Sequence, residues 1–132
     1  MSPDGRWIAY QSNVSGRWEV YVQPFPGLAG RWQLSTQGGV TPLWHSTGRE
    51  LFYRHGAAMM SVRVDATSSS FSHGSPQKLF EAPYVGEDDE FGRHYAIAPD
   101  GRFVMMKEAP RRPTEIVVIV NWAEELRSRA TR

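Results

Sequence analysis

The sequence predicts an all-β fold made of about three small antiparallel sheets, each with up to about four strands. A turn that ends in glycine recurs three times along the chain, and a short apolar run follows each copy. The 132 residues include 12% aromatic residues, 12 glycines and 9 prolines, which is typical of short strands joined by many turns. The length fits a single domain.

The recurring turn is the clearest repeat signal. Its glycines lie 43 and then 53 residues apart, and the longer interval indicates an insertion within residues 83–92. Proline and aspartate precede glycine in the first and third copies. There, proline fixes φ, aspartate bonds to nearby backbone N–H groups, and glycine takes the left-handed conformation. The middle copy keeps only its glycine. The predicted turn residues are Pro3, Asp4, Gly5, Gly48, Pro99, Asp100 and Gly101.

The strands that follow these turns are apolar on both faces. Trp7–Tyr10, Leu51–Tyr53 and Phe103–Met106 are nearly continuous apolar runs, without the alternation of a half-exposed strand. Such strands must be covered on both sides, as in a β-propeller, where each blade packs between its neighbours. We therefore expect a partial β-propeller of about three four-stranded antiparallel blades, of which the first and last are incomplete.

The individual elements follow in order along the chain. Gly16 and Gly56 mark hairpins, and Pro24 ends a strand because it cannot donate to a central ladder. Blade 1 (residues 1–38) has strands at 7–12, 18–23 and 31–35. Blade 2 (39–82) has strands at 41–44, 50–55, 59–65 and 77–81, and blade 3 (93–122) has strands at 94–98, 103–107 and 114–121. Good helix formers after Trp122 predict a short C-terminal helix at 122–130.

This strand count leaves the first blade without its innermost strand and the last blade without its outermost strand. Propellers close with ~4–8 blades, so about three blades cannot close a ring. We therefore expect the chain to be a piece of a longer protein, which supplies the missing blades, or to assemble. A second copy would give a homodimeric ring of about six blades.

At these residues the chain resembles the TolB-like, or more broadly WD-like, β-propeller repeat. The resemblance covers nearly the whole chain. It rests on Trp44 before the second turn and on the segments 2–6, 9–10, 19–22 and 98–102.

The segments 24–27, 32–35, 48–53 and 121–126 look like the last propeller blades at the C-terminus of bacterial Ser/Thr protein kinases. This narrower resemblance implies an extracytoplasmic sensing or protein-docking module. The chain itself has no Gly-rich nucleotide loop, no His-Arg-Asp loop and no Asp-Phe-Gly motif, so kinase activity is not transferred to it.

Composition and motifs argue against several other functions. A net charge of +1 gives no electrostatic basis for nucleic-acid binding, and the absence of cysteine excludes disulfides and thiolate chemistry. No apolar run approaches the ~20 residues of a membrane span. There is no nucleophile elbow, the four histidines are scattered, and the acidic run 87–90 lacks EF-hand spacing. We expect no catalytic residue, no cofactor and no metal.

These observations favour a non-enzymatic binding or sensing module whose ligand, protein or small molecule, stays open. The innermost strands of a propeller line its channel, so the candidate binding residues are Arg93, His94 and Tyr95 near the channel mouth. The alternative is the gating propeller of a prolyl-oligopeptidase-type peptidase whose hydrolase domain lies elsewhere. In that family the hydrolase usually follows the propeller, whereas this chain ends in a predicted charged helix.

Overall fold

The computed structural model describes residues 1–27, 29–67, 69–85 and 92–107. These residues form ten strands, all paired antiparallel, and no helix. The predicted all-β fold class is therefore confirmed. The strand predicted at 114–121 and the helix predicted at 122–130 lie outside the described residues.

Sheet 1 is a meander of three strands, β1 (Trp7–Ser12), β2 (Glu19–Pro24) and β3 (Trp32–Gln33). A tight turn joins β1 to β2, in which the Gly16 N–H donates to Asn13 O at 2.8 Å. Pro24 closes β2, where its missing N–H interrupts no central ladder.

Sheet 2 has the strand order β4-β5-β6-β8, with β7 paired to the far end of β6. Its strands are β4 (Val40–Trp44), β5 (Glu50–His55), β6 (Ala58–Ala66), β7 (Phe71–His73) and β8 (Gln77–Glu81). Because β6 has nine residues, its first part pairs with β8 and its last three residues pair with β7. The sequence did not predict β7, which contains one apolar residue, Phe71, and follows a serine-rich turn.

Sheet 3 is a two-stranded hairpin of β9 (Tyr95–Ile97) and β10 (Phe103–Met105). Both strands are shorter than predicted. One further bond extends the hairpin on the N-terminal side of β9, where the Met106 N–H donates to His94 O at 3.2 Å.

The three glycine turns share one local geometry. The φ angle is +71° at Gly5, +70° at Gly48 and +84° at Gly101, and each glycine N–H donates to the carbonyl three residues earlier at 2.9 Å. Two residues after each glycine a strand begins, β1, β5 and β10 in turn. The middle turn lacks the Pro-Asp pair and still has this geometry, because glycine alone supplies the left-handed conformation.

Sheet 2 is covered on both faces, and the three sheets stack face to face with sheet 2 in the middle. Successive residues of β5 point to opposite sides. Leu51 and Tyr53 share a buried cluster with Trp7 of sheet 1, whereas Phe52 shares another with Tyr95 of sheet 3. The buried members of the first cluster are Trp7, Val20, Val22, Leu34, Trp44, Leu51, Tyr53, Val62, Val64 and Phe71. This packing explains why the apolar runs are continuous.

Candidate functional site

Of the residues nominated from sequence, Tyr95 begins β9 and Arg93 and His94 directly precede it, and the three lie in different environments. Arg93 is exposed, His94 is half-buried and Tyr95 is 5% exposed. The Tyr95 hydroxyl donates to Thr41 O at 2.5 Å and also lies 3.4 Å from Phe52 O. Tyr95 therefore anchors sheet 3 to the β4 edge of sheet 2, and Arg93 is exposed.

Thr41 is the residue at which the three sheets meet. It lies in β4, whose register against β5 shifts between Val40 and Leu43. Its N–H donates to Oε1 of Gln11 in sheet 1 at 2.6 Å, and its carbonyl accepts the Tyr95 hydroxyl of sheet 3. Its φ is +53°, a conformation that is rare for a β-branched residue and costs ~1–2 kcal/mol. Bonds from both neighbouring sheets stabilise Thr41 in this strained form.

Arg54 brings a buried positive charge beside this register shift, which we call the β4 bulge. It pairs with Val40 across the β4–β5 ladder and is 3% exposed. Alternation along β5 places its side chain on the face of Phe52, toward sheet 3. Its Nη2 donates to Gly56 O at 2.9 Å, whereas its Nε, like Thr41 Oγ1, is buried and bonds to no described residue.

A buried guanidinium is ordinarily compensated by a carboxylate, because removing a charge from water costs several kcal/mol. The ion pairs among the described residues involve Arg17, Lys78 and Arg102, and none of them reaches Arg54. The irregular segment of β4 therefore combines a strained backbone with buried donors that have no acceptor among the described residues, a combination that is characteristic of functional sites.

The electrostatic environment of Tyr95 is positive. Burial raises the pKa of its hydroxyl well above the ordinary range, and the charges of Arg93 and Arg54 oppose that rise. The hydroxyl is therefore neutral and acts as a donor at physiological pH. A hydroxyl donor beside two positive charges is suited to binding an acceptor group.

A second buried charge, Glu19, is fully paired. The residue is 1% exposed. Its carboxylate accepts hydrogen bonds from Arg17 Nε at 2.9 Å, from Gly38 N at 3.0 Å and from the Ser35 hydroxyl. Burial, and then the negative charge of Glu19, raise the pKa of Tyr53 to about 12. This network stabilises the connection between sheets 1 and 2, and its saturated bonds leave little capacity for a ligand.

The end of the sheets that carries the first two glycine turns holds a cleft of about 290 Å³, lined in part by Asp4, Arg49 and Asp65. The Asp4 carboxylate accepts Ser2 Oγ at 2.5 Å and Arg6 N at 3.1 Å. These two bonds, that of Ser2 first, lower the pKa of Asp4. Asp4 is thus engaged in shaping the turn, as expected for the aspartate of such a hairpin.

Metal sites and membrane-spanning helices are likewise not found among the described residues. Within them, no group of three or more His, Asp or Glu side chains is placed to hold a metal. No helix in the same ranges is long and apolar enough to cross a bilayer. His45 bonds to Thr47 Oγ1 at 2.8 Å, and His55 and His73 are exposed. The acidic run 87–90 lies outside the described residues.

Sequence reasoning missed Gln11, Thr41 and Arg54. Two signals point toward them. Proline at position 42 inside a predicted strand indicates an edge or a bulge, because proline cannot complete a regular ladder. An arginine within the otherwise apolar end of a buried strand indicates a charge that needs a partner.

Comparison of the chain with protein-family models, with curated proteins and with solved structures gave no match. The functional assignment therefore rests on the sequence pattern and on the geometry around Thr41.

Proposed function

We propose that this chain is a segment of a TolB-like β-propeller and works as a non-enzymatic binding or sensing module. The observation that carries the proposal is the stacking of three antiparallel sheets, of which the middle one is buried on both faces. A radial array of blades requires such stacking, whereas a two-layer sandwich buries one face of each sheet. The resemblance to propeller blades of bacterial Ser/Thr kinases supports a sensing role.

The binding surface in this proposal is the Thr41 cluster, which we define as Gln11, Thr41, Arg54, Arg93 and Tyr95. These residues come from all three sheets, and the inner strand β4 lies at an edge of its described sheet. Strain at Thr41 and the buried donor of Arg54 support this choice, since both features lower stability and such features cluster at functional sites.

Amide chemical-shift mapping tests the proposed function. The full chain, labelled with nitrogen-15, is titrated with separate pools of neutral sugars, amino acids, organic acids and short peptides. We expect saturable shifts concentrated at Thr41, Tyr95 and their neighbours. Saturable shifts confined to the cleft around Asp4 and Asp65, or turnover of a pool member, would contradict the proposal.

We also propose that a further sheet of the same kind packs on sheet 3, supplied by a longer chain or by a second copy. Phe103 and Met105 face sheet 2, so alternation turns Val104 outward, and Val104 is 60% exposed. Sedimentation equilibrium of the purified chain distinguishes the two sources. A dimer that Val104→Lys dissociates supports a second copy, and a folded monomer supports additional sheets in a longer chain.

A further inference from the structure

We propose that the Thr41 cluster recognises an oxyanion group of its ligand, a carboxylate or a phosphate, through Arg54 and Arg93. This inference rests on the binding function proposed above and adds the chemical class of the ligand.

The first step in the argument is the state of Arg54. A guanidinium offers five N–H donors, and Arg54 uses Nη2 for Gly56 O while its buried Nε bonds to no described residue. A desolvated positive charge is stabilised most effectively by an anion that accepts two parallel N–H bonds, which carboxylates and phosphates do. The vacant donor of Arg54 therefore specifies the sign and the shape of the ligand group.

The second step is the presence of another positive charge at the same place. Arg93 lies two residues before Tyr95, so in extended chain its side chain is on the same side of the strand. Both Arg93 and Arg54 act electrostatically on the Tyr95 hydroxyl. Two like charges near one group repel each other, and an anion between them converts that repulsion into attraction.

The third step is the contrast with other cations of the described chain. Arg17 pairs with Glu19, Lys78 with Glu81 and Arg102 with Asp100. Arg31 lies 4.7 Å above the Tyr21 ring. Each of these groups has an internal partner, whereas Arg54, which is 3% exposed, has no carboxylate partner among the described residues.

Thr41 completes the cluster. Its Oγ1 is buried and bonds to no described residue, so its hydroxyl is able to donate to an oxyanion oxygen. The left-handed backbone at Thr41 and the bulge around it set the position of that hydroxyl. The position of β4 at the edge of its sheet gives a ligand an approach to the cluster from the open side.

The experiment uses the full chain and two small probes, inorganic phosphate and acetate, with chloride at matched ionic strength as the blank. Nitrogen-15 spectra report the Nε–Hε signals of the arginines and the backbone amide of Thr41. We expect saturable shifts of the Arg54 and Thr41 signals with at least one probe. Arg93→Gln should weaken binding about tenfold, because one charge-assisted contact contributes ~1.5 kcal/mol. Arg93 is exposed, so this variant keeps the fold.

Arg63→Gln is the matched control, because Arg63 is also exposed but pairs with Glu50 along the β5–β6 ladder, away from Thr41. Binding of phosphate alone points to a phosphorylated ligand, and binding of acetate alone points to a carboxylate; either supports the inference. Absence of saturable shifts with both probes, or equal weakening by both arginine variants, overturns it. If neutral sugars shift the amide signal of Thr41 and neither anion does, the anion inference fails while the proposed binding function stands.

Discussion

At the scale of single residues, buried polar groups in this chain differ in whether they have partners. Glu19 is as buried as Arg54, yet its carboxylate accepts bonds from Arg17, Ser35 and Gly38. Within the described part of the chain, the one side-chain bond of Arg54 runs from Nη2 to Gly56 O. A fully bonded buried charge contributes to stability, and an unsatisfied one is retained at a cost. Glu19 therefore serves the fold, and the unsatisfied charge of Arg54 is the basis of the proposed binding role.

Replacing Glu19 tests the first half of that assignment. Glu19→Gln removes the negative charge to which Arg17, Ser35 and Gly38 donate hydrogen bonds. We expect the free energy of unfolding to fall by ~2–4 kcal/mol. The control is Glu81→Gln, because the Lys78–Glu81 pair is exposed at both ends, and solvent screens such a pair so that it contributes little to stability. Urea unfolding measures both. Equal, small effects would show that the Glu19 bonds contribute little.

Tyr53 makes stability depend on pH in the alkaline range. Its folded pKa is about 12, against 10.0 ordinarily, so the unfolded chain loses this proton first as the pH rises. The stability that protonated Tyr53 contributes is complete below pH 10 and is lost as the pH rises through about 12. Each such tyrosine lowers the free energy of unfolding by at most about 1.4 kcal/mol per pH unit. The pKa of Tyr95 is also raised, so its ionisation adds to the same alkaline loss of stability.

Tyr53→Phe should therefore flatten the alkaline decline in the free energy of unfolding. Urea unfolding at several pH values above 10 compares the slopes of the variant and of the native chain. An unchanged slope in the variant would mean that Tyr53 ionises alike in the folded and unfolded states.

At the scale of elements, the connection from sheet 1 to sheet 2 is closely packed at Gly39. A Cβ on Gly39 would lie 2.8 Å from Ser35 Oγ and 3.0 Å from Tyr53 Cδ2. We expect Gly39→Ala to lower the thermal midpoint, with a loss of ~1–3 kcal/mol from overpacking. Gly27→Ala is the control, since a Cβ there meets no described atom within 4 Å. Similar midpoints for the two variants would refute the close packing at Gly39.

The middle glycine turn offers an opposite prediction, a gain in stability. Asp4 and Asp100 each accept the N–H two residues later at 3.1 Å, and Thr47 Oγ1 accepts the same bond in the middle turn at 3.4 Å. Thr47→Asp restores the carboxylate, so we expect a gain of ~0.5 kcal/mol, whereas Thr47→Ala should lose stability. Calorimetry of the two variants provides the measurement. A loss in both would mean that the bond between Thr47 and His45 matters more.

At the scale of the whole molecule, the three sheets are held by two separate clusters on the two faces of sheet 2. Leu51 belongs to the cluster with sheet 1, and Phe52, whose ring lies 5.0 Å from that of Phe103, belongs to the cluster with sheet 3. Neighbours in sequence thus stabilise different interfaces, because side chains alternate along β5.

Hydrogen exchange of backbone amides should resolve these interfaces. Phe52→Leu should accelerate exchange in β9 and β10, and Leu51→Val should accelerate it in β1 and β2, each by about tenfold for a loss of ~1.4 kcal/mol. If both variants accelerate the same amides, the stack unfolds as one unit and the two clusters are not energetically separate.

Much of the fold could be predicted from the sequence, because its signals are local. The bounds of β1, β5 and β8 are those predicted, since each strand follows or precedes a turn with marked residues. β7 was missed because three residues with one apolar side chain carry no periodicity. The role of Tyr95 as a candidate binding residue stays a prediction; the structure adds that its hydroxyl bonds to Thr41 O in sheet 2.

The sequence by itself determined where the chain turns and which strands need cover on both faces, because glycine geometry and apolar periodicity are properties of neighbouring residues. Only the tertiary structure decided the conformation of Thr41 and the burial of Arg54. Thr41 is bonded to Gln11, 30 residues earlier, and to Tyr95, 54 residues later. A left-handed threonine is stable only when such distant partners satisfy its backbone, and no local pattern encodes their meeting.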